Sequence, residues 1–194
     1  GVRLVGSEMC IRDRDRALYD GHAVAAVAAT SSLIARDAIK LIEVTYEIMR
    51  HVTDVDKAMA DGAPILRENA GDGSVPKGMH PNVVRYHESG HGDLETGFAS
   101  ADLVIEDTFR TEATHQGYIE PHACLAQLGG DGKGELWCCT QGHFHVQKTC
   151  AALLDIETSA LRVTPSEIGG GFGGKTAIFI EPVALALSRK TNRP

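Results

Sequence analysis

An α+β fold is predicted for this chain from three observations. A short apolar run, a helix-spaced run and a second strand-like run follow one another from Tyr19 to Glu47. Two strand-like runs between Tyr118 and Thr140 flank a glycine-rich turn. From His145 onward a helix, a strand, a glycine-rich loop and another helix-like run come in order. Paired strands in one place and helix–strand units in another describe segregated α and β elements packed in layers, rather than strict alternation.

Each element has its own cause. His22 to Ala29 is a short apolar run bounded by Asp20-Gly21, the pattern of a buried strand. Thr30, Ser31 and Ser32 offer N-caps for a helix through about Ile42, whose apolar positions Leu33, Ile34, Ala38, Leu41 and Ile42 recur at helical spacing. Glu43 to Glu47 reads as a strand, and Asp54 to Ala60 as a short helix. Residues 62–82, with Gly62, Pro64, Gly71, Gly73, Pro76, Gly78 and Pro81, form the best candidate linker. It separates a first region, 15–61, from a second, 83–194. Residues 1–14 lack periodicity, resemble translated adapter sequence and are set aside as non-native. In the second region Val83 to Tyr86 reads as a strand, Asp93 to Ala99 as a helix and Leu103 to Thr111 as a half-buried strand. Tyr118 to Gln127 and Glu135 to Thr140 are strands joined by the turn Gly129-Gly130-Asp131-Gly132. His145 to Leu154 is a helix with Val146, Thr149, Cys150, Leu153 and Leu154 on one face. Leu161 to Ile168 is a strand and Thr176 to Leu187 a helix. A strand, loop and helix normally feed a further strand, so the chain reads as a fragment.

Composition narrows the function classes. A net charge of −7 with no Lys/Arg run disfavours nucleic acid and anionic membranes. No apolar stretch reaches the roughly 20 residues of a membrane span. The five cysteines, Cys10, Cys124, Cys138, Cys139 and Cys150, include no C-x-x-C and read as reduced, buried thiols.

The run Gly169-Gly170-Gly171-Phe172-Gly173-Gly174-Lys175-Thr176 carries the strongest chemical signal. Five glycines within six residues let main-chain N–H groups approach an anion, and the following helix would add its dipole. The spacing satisfies a P-loop, with Lys175 for phosphates and Thr176 for Mg²⁺, and also G-x-G-x-x-G through Gly169, Gly171 and Gly174. A P-loop NTPase is therefore one reading. Against it, a P-loop follows an early strand, whereas only residues 177–194 remain here, and Pro182 falls in the second turn of the expected helix. A glycine turn needed only for strand–helix packing is another. Thr140-Gln141-Gly142 offers a second backbone loop at a strand end, so two loops could clamp one ligand. His143, His145, His115 and His122 near Glu120 offer a zinc reading. Glu120, held before Pro121, needs a partner if buried.

Three blocks in this order resemble the molybdenum-binding large subunit of the xanthine dehydrogenase / aldehyde oxidase family. They are His115-Gln116-Gly117-Tyr118-Ile119-Glu120-Pro121-His122, then Cys139-Thr140-Gln141-Gly142, then Glu167 to Lys175. Residues 19–60 are similar to the end of that family's α/β-hammerhead domain, so the resemblance covers about residues 17–194. It implies a C-terminal part of a hammerhead domain followed by the first part of a molybdopterin-binding domain. It implies cofactor contacts at Gln116, Gln141, Gly142, Gly169, Gly170, Gly171, Phe172 and Gly173. The Phe172 backbone N–H would face an oxo ligand of the metal, and Gln116 would bond to the same group. The cofactor would be molybdenum–molybdopterin in its cytosine dinucleotide form. Iron–sulfur and FAD modules would lie on other subunits or domains, and the protein would be cytoplasmic or periplasmic. The reaction would be oxidative hydroxylation of an aldehyde or N-heterocycle with oxygen from water. The base glutamate would lie beyond Pro194, leaving this piece alone inactive. Purine-oxidising members resemble this loop but carry Glu where Thr176 stands, which argues against xanthine as substrate.

Overall fold

The computed structural model describes residues 16–66 and 73–194. The predicted leader 1–14 and the middle of the predicted linker lie outside the described residues. The chain divides into two compact units, one formed by residues 1–49 with 116–194 and the other by residues 50–115.

The first unit holds a three-stranded sheet. β1 (Cys124–Leu128) pairs antiparallel with β2 (Gly134–Cys138), with Cys124 opposite Cys138 and Leu128 opposite Gly134. The predicted hairpin is thus present. Its turn is closed by the Gly132 N–H donating to Gly129 O at 3.1 Å. β3 (Leu161–Pro165) pairs parallel with β2, Leu136 facing Val163. A parallel neighbour requires a crossover, and the 12-residue helix His143–Leu154 supplies it.

Alternation along the strands puts Ala126, Leu128, Leu136 and Cys138 on one face. The crossover helix presents Val146, Cys150 and Leu154 to them, and the helix Glu181–Thr191 adds Leu185 and Ala186. Hydrogen bonds tie the last helix down. Ser188 Oγ accepts from the Leu128 N–H at 3.0 Å, and Arg189 Nη1 donates to Leu154 O at 3.1 Å.

The final helix starts later than expected. Thr176 to Ile180 are not helical, and Glu181 opens the helix with Pro182 in its first turn. Proline lacks the N–H that an interior position would need, and the first turn leaves that group unpaired anyway. The helix N-terminus therefore does not follow directly on the glycine loop. The strand before that loop is also shorter than predicted and ends at Pro165.

We label the helices in chain order as α1 (Ser32–Ile39), α2 (Val55–Ala58), α3 (Leu94–Ala99), α4 (His143–Leu154) and α5 (Glu181–Thr191). The first three are capped by side chains: Ser31, one of the caps the sequence offers, and Asp54 and Asp93 each accept from the backbone N–H three residues on. In the second unit, Asn82 Nδ2 donates to Ala58 O and Pro64 O, and Arg110 pairs with Asp56 at 2.8 Å.

The strands predicted over 22–29, 43–47, 83–86 and 103–111 are not formed. Their backbones lack ladder partners among the described residues, and Leu103, Ile105 and Phe109 are exposed. Alternating hydrophobicity sets which face a residue takes, but a strand also needs a neighbour for its N–H and C=O groups.

Candidate functional site

Three segments of the first unit converge on the glycine loop. The first is the lead-in to β1. Glu120 N–H donates to Gly169 O at 3.3 Å, and Gly169 N–H donates back to Glu120 Oε2 at 2.8 Å. A methyl at Gly169 would lie 2.6 Å from Glu120 Cβ, so glycine there permits this approach. One at Gly174 would lie 2.6 Å from Tyr118 Cε1 and 3.0 Å from Gln116 Cδ, which places the Gln116 amide beside the loop.

The second segment follows β2. Gln141 Oε1 accepts from the N–H groups of Gly173 at 3.1 Å and Lys175 at 3.3 Å. The Gln141 N–H and the Thr140 hydroxyl both donate to Lys175 O, at 2.9 and 3.2 Å. Thr140 Oγ1 accepts from Gly142 N–H at 3.1 Å, which shapes the entry to α4.

The third segment is the loop itself. Gly174 N–H closes a turn onto Gly171 O at 2.7 Å. Both flanks are thus fixed, Gly169 by Glu120 and Gly173 to Lys175 by Gln141. Between them the N–H groups of Gly170, Gly171 and Phe172 have no hydrogen-bond partner among the described residues. Phe172 has φ +50° and an exposed ring. A bulky residue in the left-handed region is strained, and such strain concentrates where a backbone is held for a purpose.

Lys175 decides between the readings of this loop. Its side chain is fully covered by its neighbours, and Nζ donates to Glu120 Oε2 at 2.6 Å. Nζ also lies 5.0 Å from the Tyr118 ring centroid. The Lys175 bond, then the Gly169 N–H, hold the Glu120 carboxyl below its usual range. Burial works against the charge on Lys175. The bond to Glu120, with Cys139 and the Glu120 charge, outweighs it and holds the ammonium above its usual range. Thr176 Oγ1 donates to Gly173 O at 2.8 Å. A P-loop needs this lysine and this hydroxyl for phosphate and Mg²⁺, and both are committed inside the protein. The P-loop reading is overturned.

The zinc reading also falls. His143 and His145 sit in the first turn of α4, two apart and on different faces, and Glu120 is bound to Lys175. Among the described residues no group of three or more His, Cys, Asp or Glu could hold a metal ion. Cys138 and Cys150 are buried and uncrosslinked, with their thiols pushed up to about 12, by burial first and the Glu181 charge second.

The sequence matches the family described as "Molybdopterin cofactor-binding domain" over residues 75–194. The chain belongs to that family. It is 34% identical over 90% of its length to a protein of Escherichia coli O157:H7 named "Probable hypoxanthine oxidase XdhD", covering 21% of that protein. It is 33% identical over 93% of its length to a probable xanthine dehydrogenase subunit from Bacillus subtilis (strain 168), covering 23% of it. Among solved structures, an aldehyde oxidoreductase from Desulfovibrio gigas shares 26% identity with a TM-score of 0.70, over 85% of this chain and 17% of that one. The chain thus spans about a fifth of the length of the relatives it matches. The molybdopterin-binding domain brings the Gly169–Lys175 loop, Gln141 and Gln116 together in one place. What sequence reasoning missed is the Lys175–Glu120 pair. Its only signal was a glutamate fixed before a proline in want of a partner.

Proposed function

We propose that this chain is the part of a molybdenum hydroxylase that holds the molybdopterin cofactor against the glycine loop. The observation that carries the reading is the arch of three successive unpaired N–H groups at Gly170, Gly171 and Phe172, pinned on both flanks. Donors fixed in advance suit a group rich in oxygen acceptors, because no reorganisation is needed when it arrives. The residues present therefore fit a pterin-bound metal centre. Gln116 and the Gln141-Gly142 turn flank the loop and complete the set of candidate contacts. When bound, the cofactor supplies the two-electron redox chemistry of hydroxylation with oxygen from water.

The chain's own residues bind and orient. Phe172 presents its N–H at the crest of the arch. Gln141 keeps its oxygen for the loop, which leaves its Nε2 to face a ligand. The base that takes the proton from water lies elsewhere in the full-length protein in this reading. The substrate class proposed is an aldehyde or N-heterocycle. Two relatives carry names that point to purines. Here the position after the lysine is Thr176, whose hydroxyl is turned to Gly173 O and offers no carboxylate. This argues against xanthine as the substrate.

The finer assignments rest on the resemblance. Residues 15–61 are proposed as the end of a hammerhead domain, 62–82 as a linker and 83–194 as the first part of the cofactor domain. The cytosine dinucleotide form of the cofactor, iron–sulfur and FAD modules on partner chains, and a cytoplasmic location complete the proposal. The test is to purify the full-length protein and measure molybdenum and pterin per chain, then turnover with aldehydes, hypoxanthine and xanthine. Stoichiometric molybdenum is expected, with xanthine not the best substrate. A preparation without metal or pterin, made in cells that load other molybdenum hydroxylases, defeats the reading.

A further inference from the structure

Lys175 is the largest of the fully buried side chains among the described residues, yet it carries a charge. Its partner Glu120 is only partly covered, with 33% of its side chain exposed. Glu120 Oε2 receives two donors at once: Lys175 Nζ, at the C-terminal end of the glycine loop, and Gly169 N–H, at its N-terminal end. One carboxylate oxygen therefore joins the two feet of the arch. The main chain of Lys175 is held as well, its N–H by Gln141 and its C=O by Gln141 and Thr140. Such a fully held lysine is not a cationic contact for a ligand.

We propose that Lys175 and Glu120 are a positioning pair whose bridge sets the span of the arch and thus the direction of the Gly170, Gly171 and Phe172 N–H groups. This rests on the loop being the cofactor contact. A buried ion pair seldom adds net stability over apolar side chains of similar volume, although removing one partner alone costs stability. Its retention here is explained by geometry: an apolar pair could fill the same space but could not hold Gly169 N–H and the Lys175 end on one atom.

The experiment uses the full-length protein, produced both in normal cells and in cells unable to make molybdopterin. Lys175→Met is compared with the double variant Lys175→Met/Glu120→Met. In the cofactor-free protein, the hydrogen-bonded amides of Gly169, Gly173, Gly174 and Lys175 should exchange about tenfold or more faster in both variants, with β2 and α4 amides unchanged. The double variant should regain much of the thermal transition lost in the single one, yet not the loop protection. In normal cells molybdenum per chain should fall in both. Loop protection that is unchanged in the variants, or that returns together with the thermal transition, overturns the proposal. Should Lys175→Met not fold, Glu120→Gln, which keeps an oxygen for Gly169 but removes the charge, decides by the same exchange threshold. A wild-type protein without molybdenum would defeat the cofactor reading, while the exchange measurement would still decide the pair.

Discussion

Replacing Gln141 with Ala separates loop pinning from cofactor binding most directly. Its Oε1 accepts from two backbone N–H groups, those of Gly173 and Lys175, at 3.1 and 3.3 Å. An intramolecular hydrogen bond contributes about 0.5–1.5 kcal/mol net, so losing both costs roughly 1–3 kcal/mol locally. Gly173 is exposed and can turn to water, which draws the figure to the lower half of that range. With about 1.4 kcal/mol per factor of ten, exchange of the Gly173 and Lys175 amides should accelerate by about five- to thirtyfold. Hydrogen exchange of the full-length, cofactor-free protein reads this at Gly173 and Lys175, with β2 as an internal reference. A second variant sharpens the test. Gln141→Glu keeps an oxygen for both N–H groups, so protection should persist, but its charge beside an anionic cofactor should lower molybdenum per chain. Unchanged loop exchange in Gln141→Ala would refute the pinning argument. Full molybdenum loading in Gln141→Glu would remove Gln141 from the cofactor's surroundings.

Three further outcomes follow from the same geometry. Gly171→Ala places a methyl 2.6 Å from Gln141 Cδ, so it should push Gln141 off the loop and reproduce the exchange signature of Gln141→Ala; normal protection in this variant would count against the contact. The Glu120 carboxyl is held below its ordinary value of about 4.3, so its contribution is complete above that pH and is lost as pH falls through the lower folded value. Lys175 is held above about 10.4, so its contribution is complete below that and is lost only as pH rises further. Loop protection factors should therefore stay flat from about pH 5 to 10, and a midpoint inside that window would exclude this pair as the cause. Cys124, with its thiol pushed up to about 11 mainly by burial, and Cys138 and Cys150 should resist iodoacetamide at about pH 8 until denaturant is added, as mass spectrometry of labelled peptides would show.

What was legible in the sequence depended on how local its cause was. Caps are local, and Ser31, Asp54 and Asp93 stand where the helices begin. The hairpin was legible because Gly129 to Gly132 specify the turn and the alternation on either side specifies the face. The apolar face of α4 was legible from its spacing: of the five residues assigned to it, Val146, Cys150, Leu153 and Leu154 are buried, and Ala151 joins them in place of Thr149. Leu103 to Thr111 has a strand's alternation but no partner among the described residues, and pairing is a property of two segments, not one. The start of α5 was misplaced because Thr176 to Ile180 carry helix-compatible residues, although Pro182 already marked a first turn. At the site, the glycines, Gln116 and Gln141 were found as motif members. Their chemistry was not, because it depends on which atoms already have partners.

That dependence explains how one loop can satisfy two nucleotide-binding patterns and serve neither. Both patterns count glycines and assign them to a phosphate. Here Gly169 is required by Glu120 and Gly174 by Tyr118, which approach so closely that a methyl would overlap them. The protein's own side chains take the space on the concave flanks, and its own acceptors take four of the N–H groups between Gly169 and Lys175. Lys175, whose charge makes the pattern look like a phosphate site, is neutralised from within by Glu120. What is left for a ligand is the crest, Gly170 to Phe172, where neither pattern requires a phenylalanine. The residue that breaks the glycine run is therefore the one whose backbone is strained, exposed and unspent, and it is there that the loop's function is to be sought.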